Sequence, residues 1–233
     1  MMVRENISQM RRKVIPELLD DDHGTSAEIA ASLEDLRAIN ERFGGTATTV
    51  DMLQRVASQS ASRQYSLLEV AAGSGDLPLA VQRHFAERGI HLKLTLLDRM
   101  ASHLNGGPGA AVCGDALQLP FRDGAFDVVS CSLFAHHLEP EELRQFVREA
   151  LRVCTRVVLI NDLIRSRLHL WLVYAALPLF RSRLTRHDAP VSVRRAYTVK
   201  EMREMLQDIP GARIEITTHH LYRMGVLLWK KGC

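Results

Sequence analysis

Hydrophobic and polar positions follow two alternating patterns along this chain, and their order predicts an α/β fold. Short, mostly apolar runs of strand length occur at 67–70, 92–97, 110–113, 126–130 and 155–160. Such runs are typical of buried parallel strands. Most segments between them carry apolar residues at spacings of three and four, as amphipathic helices do. We therefore expect a mostly parallel sheet with helices on both faces.

The first 60 residues carry helical patterns. Thr25 and Glu28 have the spacing of a capping box, and an apolar stripe at helical spacing follows at 29–43. A further pattern at 50–56 predicts another helix. We expect residues 1–60 to form a helical cap ahead of the sheet.

Two weaker features precede that capping box. Apolar residues occur at helical spacing within 7–19, but Pro16 argues against an uninterrupted helix. Three acids follow at 20–22. Because no second acidic cluster completes a cation site, we interpret them as a solvated polar turn.

An apolar segment at 168–180 is flanked by arginines. It is shorter than the ~20 residues that span a membrane. Three interpretations stay open: a buried helix, a wall of an apolar substrate pocket, or an interfacial patch with its arginines at lipid headgroups. The wall or the core is favoured over peripheral membrane contact. The basic stretch 181–197 that follows is predicted to be irregular.

The end of the chain predicts a helix and an antiparallel hairpin. Thr198 and Glu201 form another capping box. Two β-rich runs at 212–218 and 222–229 are joined by a short turn. The last strand is therefore expected to run antiparallel to its neighbours.

A glycine-rich turn follows the first strand, and an amphipathic segment follows the turn, as at the opening of a nucleotide-binding βαβ unit. Gly73 and Gly75 allow a ligand to approach the backbone. The dinucleotide fingerprint does not fit, because Ala71 replaces its first glycine and Asp76 would repel a pyrophosphate. Asp98 ends the second strand, where an acid can bind both hydroxyls of a ribose. A cofactor with a ribose and a positive centre but no phosphate, such as S-adenosylmethionine, fits best.

At these residues the sequence resembles the class I S-adenosylmethionine-dependent methyltransferases. The loop 71–76 is similar to that of the menaquinone/ubiquinone C-methyltransferases, and 114–121 and 126–129 look like the third and fourth motifs of the family. The resemblance extends over about residues 67–160. It implies a Rossmann-like sheet of seven strands, mostly parallel with the last strand antiparallel. It implies almost nothing about the substrate.

We predict that the chain forms a single methyltransferase domain with four parts. These are a helical cap at 1–60, a cofactor-binding core at 67–162, an apolar helix with a basic loop on the substrate side at 163–197, and a closing helix with a hairpin at 198–233. In the resembling family, N-terminal helices often cover the substrate pocket. Plain packing against the sheet is an equal alternative here.

The resemblance implies roles for several acids and small residues. Glu69 would neutralise the amino group or the sulfonium region of the cofactor, Asp98 would bind the ribose, and Asp115 would bind the adenine amine. The predicted cofactor-binding residues are Glu69, Ala71, Gly73, Gly75, Asp98, Arg99, Asp115, Ala116 and Ser132.

Two adjacent histidines, His136 and His137, follow the fourth strand. Ligands of open α/β sheets bind beyond the carboxyl ends of the strands, so these rings are expected near the methyl group. A phenol has a pKa of ~10, and its O-methylation gains from a base with a pKa near 7. We predict His137, or failing that His136, as the catalytic base. No metal is expected, because adjacent rings on a helix point apart and no third ligand is evident.

Other polar residues are weaker candidates. The neighbours His187 and Asp188 offer a second base with an orienting acid. The pair at 161–162 ends the fifth strand and is expected to face the pocket. The arginines at 194–195 are candidates to bind a substrate carboxylate, although solvated arginines are commoner.

Composition adds limits rather than a function. The chain has 233 residues, 46% hydrophobic and 24% charged, with a net charge of +3 and no clustered basic face for nucleic acid. Its four cysteines are scattered without a C-x-x-C pair, and the N-terminus lacks the apolar run of a signal peptide. Free thiols in the cytoplasm are expected.

The leading hypothesis is S-adenosylmethionine-dependent methylation of a small apolar acceptor, at the hydroxyl of a phenolic, polyketide-like or quinone-like molecule. C-methylation of a quinol is the close alternative. A non-catalytic binding protein that keeps the fold is the alternative from another class. A hydride-transferring dehydrogenase is disfavoured by Asp76 and by the missing first glycine.

Overall fold

A computed structural model describes residues 10–104 and 109–232 of the chain. The first residues of the doubtful 7–19 helix and Cys233 lie outside these ranges. Among the residues that the structure describes, Cys113, Cys131 and Cys154 form no disulfide, as expected.

A seven-stranded sheet forms the centre of the molecule, in the order β3-β2-β1-β4-β5-β7-β6. Its strands are β1 Gln64–Val70, β2 His91–Asp98, β3 Ala110–Cys113, β4 Phe126–Ser132, β5 Cys154–Leu163, β6 Ala212–His219 and β7 Arg223–Lys230. The first five strands are parallel, and β7 pairs antiparallel with both β5 and β6. The predicted fold class is confirmed. The carboxyl ends of β1, β2 and β4 meet at one edge of the sheet.

Seven α-helices are described around this sheet: α1 Ser26–Arg42, α2 Gly45–Ser58, α3 Asp76–Ala86, α4 Pro140–Val153, α5 Arg167–Ala176, α6 Arg183–Arg195 and α7 Val199–Leu206. Both capping boxes expected from the sequence, at Thr25 and Thr198, are formed. Within the described residues, no helix has both the length and the apolar character needed to cross a membrane.

Two apolar layers enclose the sheet. On one face, Phe146 of α4 and Met202 of α7 are completely buried against the strands. On the other face, Met52 of α2 and Phe85 of α3 fill the core. The helix α2 therefore packs against the sheet, which is one of the two alternatives for the N-terminal cap.

The basic stretch predicted to be irregular is mostly helical, and that prediction was wrong. The side chain of Ser182 caps α6 by accepting a hydrogen bond from the backbone N–H of Leu184. Leu184, Asp188 and Val191 recur at helical spacing and are buried. Burial of this face stabilises the helix although Pro190 lies inside it.

Residues 10–23, here called the strap, contain no helix. They cross the carboxyl edge of the sheet and are held there by distant partners. The Arg12 guanidinium donates to the carboxylate of Glu139 and to the carbonyl oxygens of His136 and Leu138. The carboxylate of Asp188 accepts from two backbone N–H groups of the strap. Contacts with residues more than a hundred positions away thus decide the conformation of this segment.

Candidate active site

A cavity of about 640 Å³ opens at the carboxyl ends of β1, β2 and β4. The strap and the helices α1, α5 and α6 complete its walls, so α1 lines the pocket whereas α2 packs on the sheet. The predicted site residues that line the cavity are Glu69, Ala71, Gly73, Asp98, Arg99, Asp115, Ala116, Ser132, His136 and His137. The structure thus brings together all the predicted site residues except Gly75.

The two glycines of the turn after β1 serve different purposes. Gly73 has a φ of +53°, and a Cβ atom there would face open space, with only Leu33 Cδ2 at 4.0 Å. Gly75 has a φ of +75°, and a Cβ atom there would lie 2.6 Å from Leu96 Cδ1. Gly73 therefore leaves room for a ligand against the backbone, whereas Gly75 is required by packing inside the protein.

Asp98 holds the glycine turn with its carboxylate. Its Oδ2 accepts a hydrogen bond from the backbone N–H of Gly73 at 2.8 Å, and its Oδ1 accepts from the backbone N–H of Met100 at 2.9 Å. An ionised carboxylate has about four lone-pair sites, so these two bonds leave acceptor capacity for ribose hydroxyls. The arrangement fits the role predicted for Asp98.

Glu69 is a buried carboxylate in the cavity wall. Burial raises its pKa to about 7, although the hydroxyl of Ser130 donates a hydrogen bond to it. No cationic side chain pairs with Glu69 among the residues that the structure describes. A buried acid without a cation is suited to the ammonium or sulfonium group of a bound ligand. The residues present therefore fit S-adenosylmethionine.

Two further predicted cofactor residues, Asp115 and Arg99, line the cavity with exposed side chains. Asp115 accepts a hydrogen bond from the backbone N–H of Leu117 at 2.8 Å, and its side chain is exposed beside the cavity. The Arg99 guanidinium instead donates to the backbone carbonyl oxygen of Asp20 at 2.9 Å. Arg99 thus ties the strap to the end of β2.

His136 is a buried ring held between two acids. Its Nδ1 lies 2.7 Å from Asp162 Oδ1, and its Nε2 lies 3.5 Å from Glu17 Oε1. Burial lowers the pKa of His136, but the charge of Asp162, its hydrogen bond and the nearby Glu17 carboxylate outweigh burial and raise it to about 10. His136 is therefore an imidazolium at neutral pH.

His137 belongs to the same cluster but reaches the cavity. Its Nδ1 lies 3.0 Å from Asp20 Oδ2, and its Nε2 lies 3.8 Å from Glu17 Oε1. The two histidine ring centroids are 4.3 Å apart. Although burial raises the pKa of Asp20, its hydrogen bond with His137 and the neighbouring charges lower it below its usual value. Asp20 thus lies in a turn, as expected, but it is an ionised partner for the ring and not a solvated residue.

Glu17 was missed by the sequence analysis. It is a buried residue of the strap and accepts a hydrogen bond from the Ser192 hydroxyl at 2.8 Å. Burial raises its pKa, but the hydrogen bond with His136 and the charges of both histidines lower it below the usual value. No sequence pattern marks Glu17 as a site residue, because its function depends on partners more than a hundred residues away.

The reason given for excluding a metal was wrong. Ala135–His137 is a short 3-10 turn and not an α-helix, so ligand atoms of Glu17, His136 and His137 lie within 4.8 Å of one another. These three residues are close enough to hold an ion. A histidine must be neutral to bind a metal, and the ion pair with Asp162 keeps a proton on His136. The absence of a metal stays a prediction.

Several weaker candidates have structural roles instead. The Asn161 amide donates to the carbonyl oxygen of Gly45 and to the hydroxyl of Thr49, away from the cavity. The expectation that Asn161 faces the pocket was wrong, because β5 turns its side chain towards α2. Asp162 reaches the site only through His136.

The His187 ring pairs with Asp188, the acid that holds the strap, and His187 does not line the cavity. Arg195 donates to the carbonyl oxygen of His137 at 2.7 Å, and Arg194 donates to the Tyr174 hydroxyl at 2.7 Å. Both arginines thus have partners within the protein.

The apolar segment 168–180 forms one wall of the cavity and is not a buried core helix. Leu172, Val173 and Ala176 of α5 line the cavity, together with Phe180. The opposite face of α5 is exposed. The apolar side chains of α5 that face the cavity suit a hydrophobic acceptor.

Known proteins resemble this chain in sequence and in fold. Residues 68–157 match the family model described as a methyltransferase domain. A solved S-adenosylmethionine-dependent methyltransferase from Aquifex aeolicus is 17% identical, with a TM-score of 0.55 over 76% of this chain and 88% of that chain.

Two further solved structures carry acceptor information of their own. A plantazolicin methyltransferase in complex with a triazolic desmethylPZN analogue and SAH is 14% identical, with a TM-score of 0.67 over 92% of this chain and 94% of that chain. A magnesium protoporphyrin IX methyltransferase from Synechocystis with bound SAH is 15% identical, with a TM-score of 0.53 over 83% of this chain and 87% of that chain. At these identities the likeness shows the fold.

Proposed function

We propose that this chain, whose residues 68–157 match a methyltransferase domain, is an S-adenosylmethionine-dependent methyltransferase with the following acceptor and base. The chain transfers the methyl group of S-adenosylmethionine to the hydroxyl of a small apolar, aromatic acceptor of phenolic, polyketide-like or quinone-like type. His137 takes the proton of that hydroxyl. The observation that carries the proposal is the position of His137, whose ring lines an apolar-walled cavity while its Nδ1 is paired with Asp20.

The acids of the cavity support the cofactor. S-adenosylmethionine supplies an electrophilic methyl group next to a positively charged sulfur. Asp98 binds the ribose, and Glu69 neutralises a cationic group of the ligand. SAH in solved neighbours of the same fold agrees with this donor. The cofactor predicted from the sequence is therefore retained.

Proton transfer is assigned to the histidine–acid cluster. The pairing of His137 Nδ1 with Asp20 favours the tautomer whose Nε2 has a free lone pair, and this atom is the one available to an acceptor hydroxyl. As the methyl group arrives, Nε2 accepts the hydroxyl proton. The resulting imidazolium is stabilised by Asp20 and by Glu17, at 3.0 Å and 3.8 Å. His136 is excluded as a base because it already carries a proton at neutral pH.

Positioning contributes a large share of the rate in such a displacement. Arg12 and Asp188 clamp the strap over the cavity, so it excludes water and keeps Glu17 and Asp20 beside the rings. The wall formed by α5 orients an apolar acceptor. The cytoplasmic location stays a prediction.

Methyl transfer from isotopically labelled S-adenosylmethionine into a panel of phenols, quinols and cell extract tests the proposal. Products are identified by mass spectrometry, and calorimetry compares SAH with NAD and NADP. We expect a labelled methyl ether and binding of SAH alone. A product with the methyl group on a ring carbon would show that the reaction is C-methylation and not O-methylation. Tight NAD binding without methyl transfer would overturn the proposal.

A further inference from the structure

The outward face of α5 exposes several large apolar side chains. Leu168, Trp171 and Leu179 are 58%, 73% and 72% exposed. Leu168, Trp171 and Ala175 have the spacing of one helical face, and Leu179 continues it beyond the end of the helix. We call this surface, formed by Leu168, Trp171, Leu172, Ala175 and Leu179, the α5 face. Contiguous exposed apolar surface of this kind is typical of an interaction site.

The chain segment that carries the α5 face has charged residues of one sign. Residues 163–187 contain five arginines and no aspartate or glutamate. Arg167 at the start of α5 and Arg181, two positions after Leu179, are exposed. Arg181 also lies 3.5 Å from the Glu34 carboxylate of α1. Tryptophan and leucine on one surface, bordered by arginines, is the composition of helices that lie in a membrane interface. Arginine heads interact with anionic lipid headgroups.

The α5 face also continues into the cavity. Leu172 is 45% exposed and lines the cavity at the same time, and its neighbour Val173 lines it too. One helix therefore separates a surface suited to lipid from a pocket suited to an apolar acceptor. An acceptor dissolved in a bilayer would reach the pocket without crossing water.

We propose that the α5 face docks on an anionic lipid surface and that the cavity takes its acceptor from that surface. The second half of this statement rests on the proposed function, whereas the docking does not. A second copy of this chain fits the surface less well. In a two-fold dimer the arginines of both copies would be brought together, and like charges at an interface cost several kcal/mol.

Flotation of the full chain with vesicles tests the docking. The probes are phosphatidylcholine vesicles with and without phosphatidylglycerol, in the absence of cofactor and acceptor. We expect the wild type to float with the anionic vesicles, and Trp171→Ser combined with Leu179→Ser to weaken binding by at least about tenfold. The matched control is Val14→Ser, because Val14 is an exposed apolar residue outside the α5 face. It should float as the wild type does.

A second pair of variants separates the charge from the apolar contact. Arg167→Gln with Arg181→Gln should reduce binding to anionic vesicles and its dependence on salt, whereas Lys93→Gln on β2 should leave both unchanged. Failure of the wild type to float with anionic vesicles would overturn the proposal. So would unchanged flotation of the Trp171 and Leu179 variant, or a dimer in gel filtration that this variant converts to a monomer without any flotation.

Activity distinguishes this proposal from the proposed function. Neither Trp171 nor Leu179 lines the cavity. Their double variant should therefore keep the wild-type kcat with a water-soluble acceptor and show a raised KM only for an acceptor presented in vesicles. A protein that floats but transfers no methyl group would retain the docking and refute the proposed function.

Discussion

The carboxylate of Asp162 accepts two hydrogen bonds from a single residue, His136. One comes from the ring, with Nδ1 2.7 Å from Oδ1, and the other comes from the backbone N–H, 2.8 Å from Oδ2. Both side chains are buried. Asp162 therefore fixes the ring and the turn that carries it. Because its ring is held in this ion pair, His136 is not available to an acceptor. His137, next to it in the chain, is left to face the cavity.

This pair makes the stability of the protein dependent on pH. The pKa of His136 is raised from 6.5 to about 10, so the folded state binds more protons than the unfolded state between these values. The stabilisation is fully present below pH 6.5 and is lost as the pH rises through about 10, on the order of several kcal/mol. Urea unfolding at pH 6 and pH 10 measures the loss.

Asp162→Asn provides the comparison, because it removes the charge that raises the pKa and keeps the shape. The difference in unfolding free energy between wild type and variant should shrink from pH 6 to pH 10. Parallel pH profiles for the two proteins would show that the ion pair is not the cause. His136→Gln together with Asp162→Asn should restore part of the stability, since it removes both charges of this buried pair together.

The parts of the site that the sequence predicted are local. The turn after β1 and the acid at the end of β2 occupy fixed positions in a βαβ unit, so strand and loop patterns were enough to place Gly73 and Asp98. The histidine partners are not local. Glu17 and Asp20 lie on a strap whose place is set by Arg12 and by the other end of the chain, and periodicity contains no information about such contacts.

The errors have the same origin. The helix α6 was missed because its buried face is covered by elements distant in the sequence, among them the strap and α1, as the contact of Ser32 with Thr185 shows. The metal exclusion assumed helical geometry at 135–137, whereas the chain forms a 3-10 turn there. Long-range packing decided both outcomes.

Replacing Asp98 by alanine should weaken cofactor binding by about 1.5–3 kcal/mol, because charge-assisted hydrogen bonds to the ribose are lost. The variant also loses the hydrogen bond that the backbone N–H of Gly73 donates to Asp98. Asp98→Asn is the matched control, since it keeps the shape and loses the charge. Calorimetry with SAH measures the effect. Wild-type affinity in a folded Asp98→Ala protein would remove the ribose assignment.

The glycine turn offers a pair of substitutions with opposite consequences. Gly73→Val should abolish SAH binding and leave much of the sheet intact, because its side chain enters open space that the ligand needs. Gly75→Ala should instead destabilise the fold, since its Cβ would press on Leu96. Calorimetry and thermal unfolding of both variants separate binding from folding. Normal SAH binding by Gly73→Val would mean that the turn does not hold the cofactor.

Cofactor affinity should depend on the ionisation of Glu69. Burial raises the pKa of Glu69 to about 7, and a cationic ligand favours the carboxylate, so binding expels a proton below that pH. We expect S-adenosylmethionine to bind roughly tenfold more weakly at pH 6 than at pH 8. Calorimetry in buffers of different ionisation enthalpy detects the released proton. Glu69→Gln should bind weakly at both pH values, and an unaltered pH dependence in this variant would assign the proton to another group.

His137→Gln tests the chemistry itself. Loss of a general base typically costs ~10²–10⁴ in rate, so the rate at saturating cofactor should fall while SAH affinity stays nearly unchanged. The acidic limb of the pH–rate profile should disappear. Part of the rate should return at high pH, where a phenolic acceptor ionises unaided, because a phenol has a pKa of ~10. No such return is expected if the substitution merely distorts the pocket.

The matched control is His187→Gln, because His187 also pairs with an acid but lies outside the cavity. It should keep the wild-type rate and pH profile. Glu17→Gln should lower kcat less than His137→Gln does, since Glu17 stabilises the imidazolium without touching the acceptor. If His137→Gln retains near-full activity at neutral pH with a phenolic acceptor, His137 is not the base. The reaction would then depend on positioning by the strap and the α5 wall, and variants of Arg12, which holds the strap, would have the larger effect on kcat.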